Sequence, residues 1–257
     1  MPREARFDEI GRSISIAFAV ALSLLAIPAT RQAIGSAYAA IRAWNFGPSI
    51  TIVAAGDDPR IPLVGDAVAF WNKTFTEVGI PFRLGTVMEV VGVIPSEDLM
   101  ILSKRAGWPT LRLSESIRRT DGDIVVALSD GQFISFSARA IIGDKAVIGI
   151  KNYRSYPLTL PNVARNVIAH ELGHVIGLSH NADPTTLMCG RPASCYPDLF
   201  ISDEPRYFSL TDAEKDQLKR MYLKAGVNPS AWLAPRRFVR SSPGKARPPA
   251  STRCAST

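Results

Sequence analysis

His170-Glu171-Leu172-Gly173-His174-Val175-Ile176-Gly177-Leu178-Ser179-His180 is the stretch on which the reading of this chain turns. It has the form H-E-x-x-H-x-x-G-x-x-H, and all three histidines of the 257-residue chain lie inside it. On a helix, His170 and His174 project from one face, one turn apart. Two imidazole nitrogens then stand where one tetrahedral zinc accepts both at about 2.0–2.1 Å. The helix cannot aim a third ligand the same way. Gly177 resolves this, because a glycine at a helix C-terminus takes the left-handed conformation that turns the chain and returns His180 to the metal. Three protein ligands leave a fourth zinc position for water, as catalytic sites do.

Glu171 follows the first ligand and emerges beside the zinc without ligating it. A carboxylate there takes the proton of the zinc-bound water as it attacks and delivers it to the leaving amine. The helix is expected over residues 163–176, with Asn162 as its cap. Val163, Val167, Ile168, Leu172, Val175 and Ile176 form its apolar face.

Two further segments belong with this one. Leu187-Met188-Cys189-Gly190 follows His180 closely. Ser209-Leu210-Thr211-Asp212-Ala213-Glu214 opens a helix, with Thr211 and Glu214 at capping-box spacing. Together these segments resemble the metzincin metalloproteases, and within them the matrixin-like branch, over about Ser49 to Ala225. The resemblance implies an α+β, zincin-like domain. Its features would be a twisted, mostly parallel five-stranded sheet with an antiparallel edge strand, a zinc-site helix, a methionine turn at Leu187–Gly190 with Met188 beneath the metal as a floor, and a C-terminal helix.

Hydrophobic periodicity upstream is consistent with that order. Strands are expected at 50–54, 82–87, 123–128, 132–137 and 146–151, and a helix at 63–78. A short helix is expected near 97–105. The resemblance makes residues 132–138 the edge strand that binds an extended peptide by strand addition. A simple hairpin around Ser129-Asp130-Gly131 is the plainer reading of the same residues. The segment from Cys195 to Phe208 is expected to wall the side-chain pocket. Tyr196 and Tyr207 are its polar aromatics, open to a wall role or to an approach to the oxyanion. No stretch between Thr30 and Pro48 resembles the cysteine-bearing inhibitory segment usual in matrixins. Structural calcium has little support: Asp121, Asp123, Asp130 and Asp144 lie near turns, where acidic residues are usually solvated.

The chain divides into residues 1–47, a peptidase domain at 48–228 and a tail at 229–257. Arg3, Arg6 and Arg12 precede an uncharged apolar run at 14–27, of signal-peptide length and short for a membrane span. Ala37-Tyr38-Ala39 offers a cleavage site farther downstream than usual, so cleavage and membrane anchoring both stand. Either places the catalytic domain outside the cytoplasm. Cys189 and Cys195 fit a disulfide or two buried thiols, with Cys254 left over. The tail carries six of the seven net positive charges and reads as solvated chain, open to contact with anionic surfaces. No base-reading fold is visible, so nucleic acid is not an expected partner.

The expected activity is a zinc-dependent endopeptidase acting on protein or peptide. His170, His174 and His180 would hold one zinc ion, and Glu171 would be the catalytic base. A zinc-stabilised binding protein without turnover, and an exopeptidase or amidase with the same chemistry, are the rival readings.

Overall fold

The segments Ile50–Ala54, Ile124–Leu128 and Ala146–Ile150 are near-continuous apolar runs, buried along their whole length. Strands covered on both faces of a parallel sheet require such runs. The computed structural model describes residues 43–105, 112–140, 145–190, 193–196 and 203–223. Its elements in chain order are β1 (Ile50–Ala54), α1 (Ile61–Glu77), β2 (Val87–Val91), α2 (Ser96–Arg105) and α3 (Glu115–Arg119), followed by β3 (Ile124–Leu128), β4 (Phe136–Arg139), β5 (Ala146–Ile150), α4 (Pro161–Val175) and α5 (Asp212–Tyr222).

The five strands lie in the order β2-β1-β3-β5-β4. All neighbours are parallel except β4, which runs antiparallel to β5 at the edge. This is the expected α+β architecture. One face of the sheet, with Ile50, Ile52, Ile124, Val126 and Ile148, packs on α1, α4 and α5. The other, with Val53, Val125, Ala127 and Val147, is covered by Leu99, Leu102, Leu113 and Ile117 from α2, α3 and the loop between them. Trp71 of α1 is fully buried, and its indole N–H donates to the Ala169 carbonyl of α4 at 2.9 Å. That bond joins the zinc-motif helix to the core. Truncating a buried aromatic of this size costs about 3–5 kcal/mol.

Three strand expectations need correction. The second strand is Val87–Val91, not 82–87. Phe82 and Leu84 are buried, but the Asn72 side chain holds the N–H and carbonyl of Leu84, so that residue is not in a ladder. The fourth strand is Phe136–Arg139, displaced from 132–137. It pairs with β5 and not β3, so Ser129-Asp130-Gly131 is not a hairpin turn. Those residues instead meet the end of β5: Ser129 N–H donates to the Ile150 carbonyl, and the Gly131 carbonyl accepts from Asn152 N–H. The short helix α3 has no counterpart in the hydrophobic pattern. The Lys145 ammonium caps it from outside, reaching the carbonyls of Ile117, Arg118 and Thr120, as cations do at helix C-termini.

Residues 14–27, the 229–257 tail and Cys254 lie outside the described residues. Among the described residues, no helix is long and apolar enough to cross a membrane.

Candidate metal centre

The zinc-motif helix starts earlier than its apolar pattern suggests. Its cap is Leu160 and its first residue is Pro161, whose fixed φ and missing N–H suit that position. Asn162 is therefore not the cap but a buried residue inside the first turn. Its side chain accepts from Arg206 N–H at 2.9 Å and donates to the Glu204 carbonyl at 2.9 Å. Asn166, one turn on, donates to the Arg206 carbonyl and accepts from Phe208 N–H. Both amides fasten α4 to the chain leading into α5.

At its other end α4 stops at Val175, and Gly177 takes a φ of +112°, a region open to glycine. Carbonyls at this end lack partners within the helix, and distant side chains supply them. Trp44 donates to Val175, Tyr222 to Ile176 and Gln217 to Gly177, each at 2.9 Å. The turn that redirects the chain toward His180 is thus held from three directions.

His170, His174 and His180 come together as the motif requires. Their Nε2 atoms are 2.9–3.2 Å apart, about the spacing of donors around one tetrahedral zinc. The Nδ1–H of His170 donates to the Leu187 carbonyl at 2.7 Å, and that of His174 to the Leu178 carbonyl at 2.8 Å. A carbonyl only accepts, so in the neutral rings the proton sits on Nδ1 and the Nε2 lone pairs face inward. Burial holds all three histidines below their ordinary protonation range, and His174, also beside the other two rings, falls to about 3. Converging lone pairs on neutral rings repel one another until a cation fills the space between them. The donor set fits zinc, with backbone carbonyls orienting two ligands as is usual for metal-bound histidine.

Small residues make room for the centre. A Cβ on Gly173 would lie 2.5 Å from Met188 Sδ, and one on Gly190 would overlap the His180 ring. Met188 is fully buried against Gly173 of α4. Cys189 and Cys195 form a disulfide, closing the loop that follows.

Glu171 is buried, and burial pushes its carboxyl up to about 7; the Ser137 hydroxyl of β4 bonds to it and acts in the opposite direction. Ser137 was not evident from sequence. It sits opposite Ile148 of β5, on the sheet face that α4 covers, a relation no local pattern encodes. Tyr207 stacks on Phe70 with ring centroids 4.3 Å apart, and burial, with Asp66 nearby, pushes its phenol up to about 12. Its ring packs against α1. Tyr196 is exposed. Of the acidic turn residues, Asp123 accepts from Ser49 N–H and Oγ–H, and Asp130 faces Arg154. Asp144 lies outside the described residues.

No protein-family model matches the chain, and no curated protein matches it. Among solved structures, the chain is similar to the crystal structure of archaemetzincin from Methanopyrus kandleri. The two are 19% identical over 67% of this chain and 94% of that one, with a TM-score of 0.40. The fold has the expected layout: a mostly parallel five-stranded sheet with an antiparallel edge strand, and a helix packed on it carrying two of the three clustered histidines.

Proposed function

We propose that this protein is a zinc-dependent metalloendopeptidase of metzincin type, closest in plan to the matrixin-like branch. The observation that carries the proposal is the convergence of three neutral imidazole lone pairs beside a buried carboxyl. His170, His174 and His180 would hold the ion. Zinc, when bound, supplies Lewis acidity toward a water and toward the carbonyl of the bond to be cut.

The remaining work falls to the chain's own residues. Glu171 accepts a proton from the attacking water and returns it to the amine nitrogen as the peptide bond breaks. Burial raises the affinity of this carboxyl for a proton, which supports a group that first takes and then returns one. Ser137 orients that carboxyl from the edge strand. The outer side of β4 supports binding of an extended substrate, because an edge strand offers unpaired N–H and C=O groups to a peptide. The Cys189–Cys195 disulfide supports a location outside the reducing cytoplasm, as the N-terminal segment does. Within this reading that segment is either cleaved or retained as an anchor, and the basic tail contacts anionic surfaces.

The test is digestion of a peptide library with mass-spectrometric readout, with Glu171→Ala and a zinc chelator as controls. Internal cuts that both controls abolish are expected. Terminal cuts would point to an exopeptidase. A zinc-loaded wild type no more active than Glu171→Ala would sink the peptidase reading.

A further inference from the structure

We propose that Asn181 and Glu214 form a strut that holds the histidine cluster in register, which makes both of them positioning residues for the zinc site; this rests on the function proposed above. Asn181 directly follows His180. Its backbone N–H donates to the Met188 carbonyl at 2.9 Å, and its carbonyl accepts from Gly190 N–H at 3.2 Å. The chain bearing the third histidine is thereby laced to the methionine turn on both sides of Cys189.

The Asn181 side chain extends the lacing. Its amide N–H groups donate to Thr186 Oγ1 at 2.8 Å and to Glu214 Oε1 at 2.7 Å, while its oxygen accepts from Asp183 N–H at 2.8 Å. Both donors of the amide are in use. Thr186 is next to Leu187, whose carbonyl orients His170. The strut therefore reaches His180 through the chain and His170 through Leu187. His174 is held separately by Leu178.

Helix capping does not account for the charge at position 214. Glu214 closes the capping box, with Oε2 accepting from Thr211 N–H at 2.7 Å, but glutamine caps equally well. Glu214 is buried, and both of these hydrogen-bond donors are neutral. Glutamine has one accepting oxygen in place of two, so it cannot accept from both the Thr211 N–H and the Asn181 amide. Asn181 transmits position, and the two carboxylate oxygens of Glu214 tie it to the first turn of α5.

The full-length protein tests this through zinc affinity, measured by competition with a chromophoric chelator, and through the visible spectrum of the cobalt(II)-substituted form. Asn181→Ala and Glu214→Gln are each expected to bind zinc about 10–100-fold more weakly, the range for lost outer partners of metal ligands, with an altered cobalt spectrum. Thr211→Ala removes the cap alone, so it should lower the melting temperature and leave zinc affinity unchanged. If Asn181→Ala and Glu214→Gln keep wild-type affinity and an unchanged spectrum, the strut is structural and the proposal is overturned. If Asn181→Ala does not fold, Glu214→Gln decides by the same readings. A wild type that binds no zinc defeats the proposed function itself, whereas a wild type that binds and cleaves beside variants that also bind normally defeats the strut alone.

Discussion

Glu171 and Glu214 are both buried glutamates, and their surroundings differ. Glu171 sits in α4 under the edge strand, with the Ser137 hydroxyl as a partner and its carboxyl raised to about 7. Glu214 sits in the first turn of α5, with a backbone N–H on one oxygen and an asparagine amide on the other. Sparse partnering leaves a carboxyl able to gain and lose a proton near neutrality. Glu214 instead accepts a hydrogen bond on each of its two oxygens. In the proposed function the same residue type serves as a proton carrier at one position and as a strut at the other.

The largest effect expected from breaking this contrast is at the carrier. Glu171→Ala should lower kcat by about 10²–10⁴-fold while the protein still retains zinc, as peptide turnover and metal analysis would show. Weakened zinc retention in Asn181→Ala and Glu214→Gln comes next. Gly190→Ala belongs beside them. The added methyl displaces the His180 ring, so zinc affinity should drop by about 10-fold or more, and wild-type affinity would show that the turn yields instead.

Metal-free protein sharpens the contrast through pH. The Glu171 carboxyl binds its proton more tightly when folded, at about 7 against 4.5 for the free side chain. Its contribution to stability is full below about 4.5 and is lost as pH rises through about 7. Relative to Glu171→Gln, the metal-free wild type should therefore lose on the order of 2–3 kcal/mol between pH 4 and pH 8. Denaturant melts at the two values measure this, and equal losses in both proteins would refute it. The smallest effect is Thr211→Ala, about 1 kcal/mol of stability, read as a lower melting temperature.

Much of the centre was legible because its geometry is local. Two histidines four apart on a helix, a glycine that turns the chain and a capping box are set by backbone repeats a few residues long. The buried strands β1, β3 and β5 were legible for a related reason, since burial on both faces leaves an unbroken apolar run. The elements misplaced from sequence rest on distant partners. Phe82 and Leu84 have the composition of a strand, yet Asn72 holds the backbone of Leu84. Phe136–Arg139 finds its ladder on β5, which lies later in the chain. The helix α3 depends on Lys145.

By itself the sequence determined the clustered histidines, the carboxylate beside them and the order of most elements, because each follows from residue type and short-range spacing. The tertiary structure alone decided what holds and tunes them. Trp44, Tyr222 and Gln217 close the end of the metal helix from remote positions. Ser137 reaches Glu171 because β4 pairs with β5 above α4. Asn181 joins His180 to a helix cap more than thirty residues away in sequence. Hydrogen bonds and burial act over a few ångströms of space, whatever the distance along the chain, and local patterning carries no record of which distant segments are brought that close.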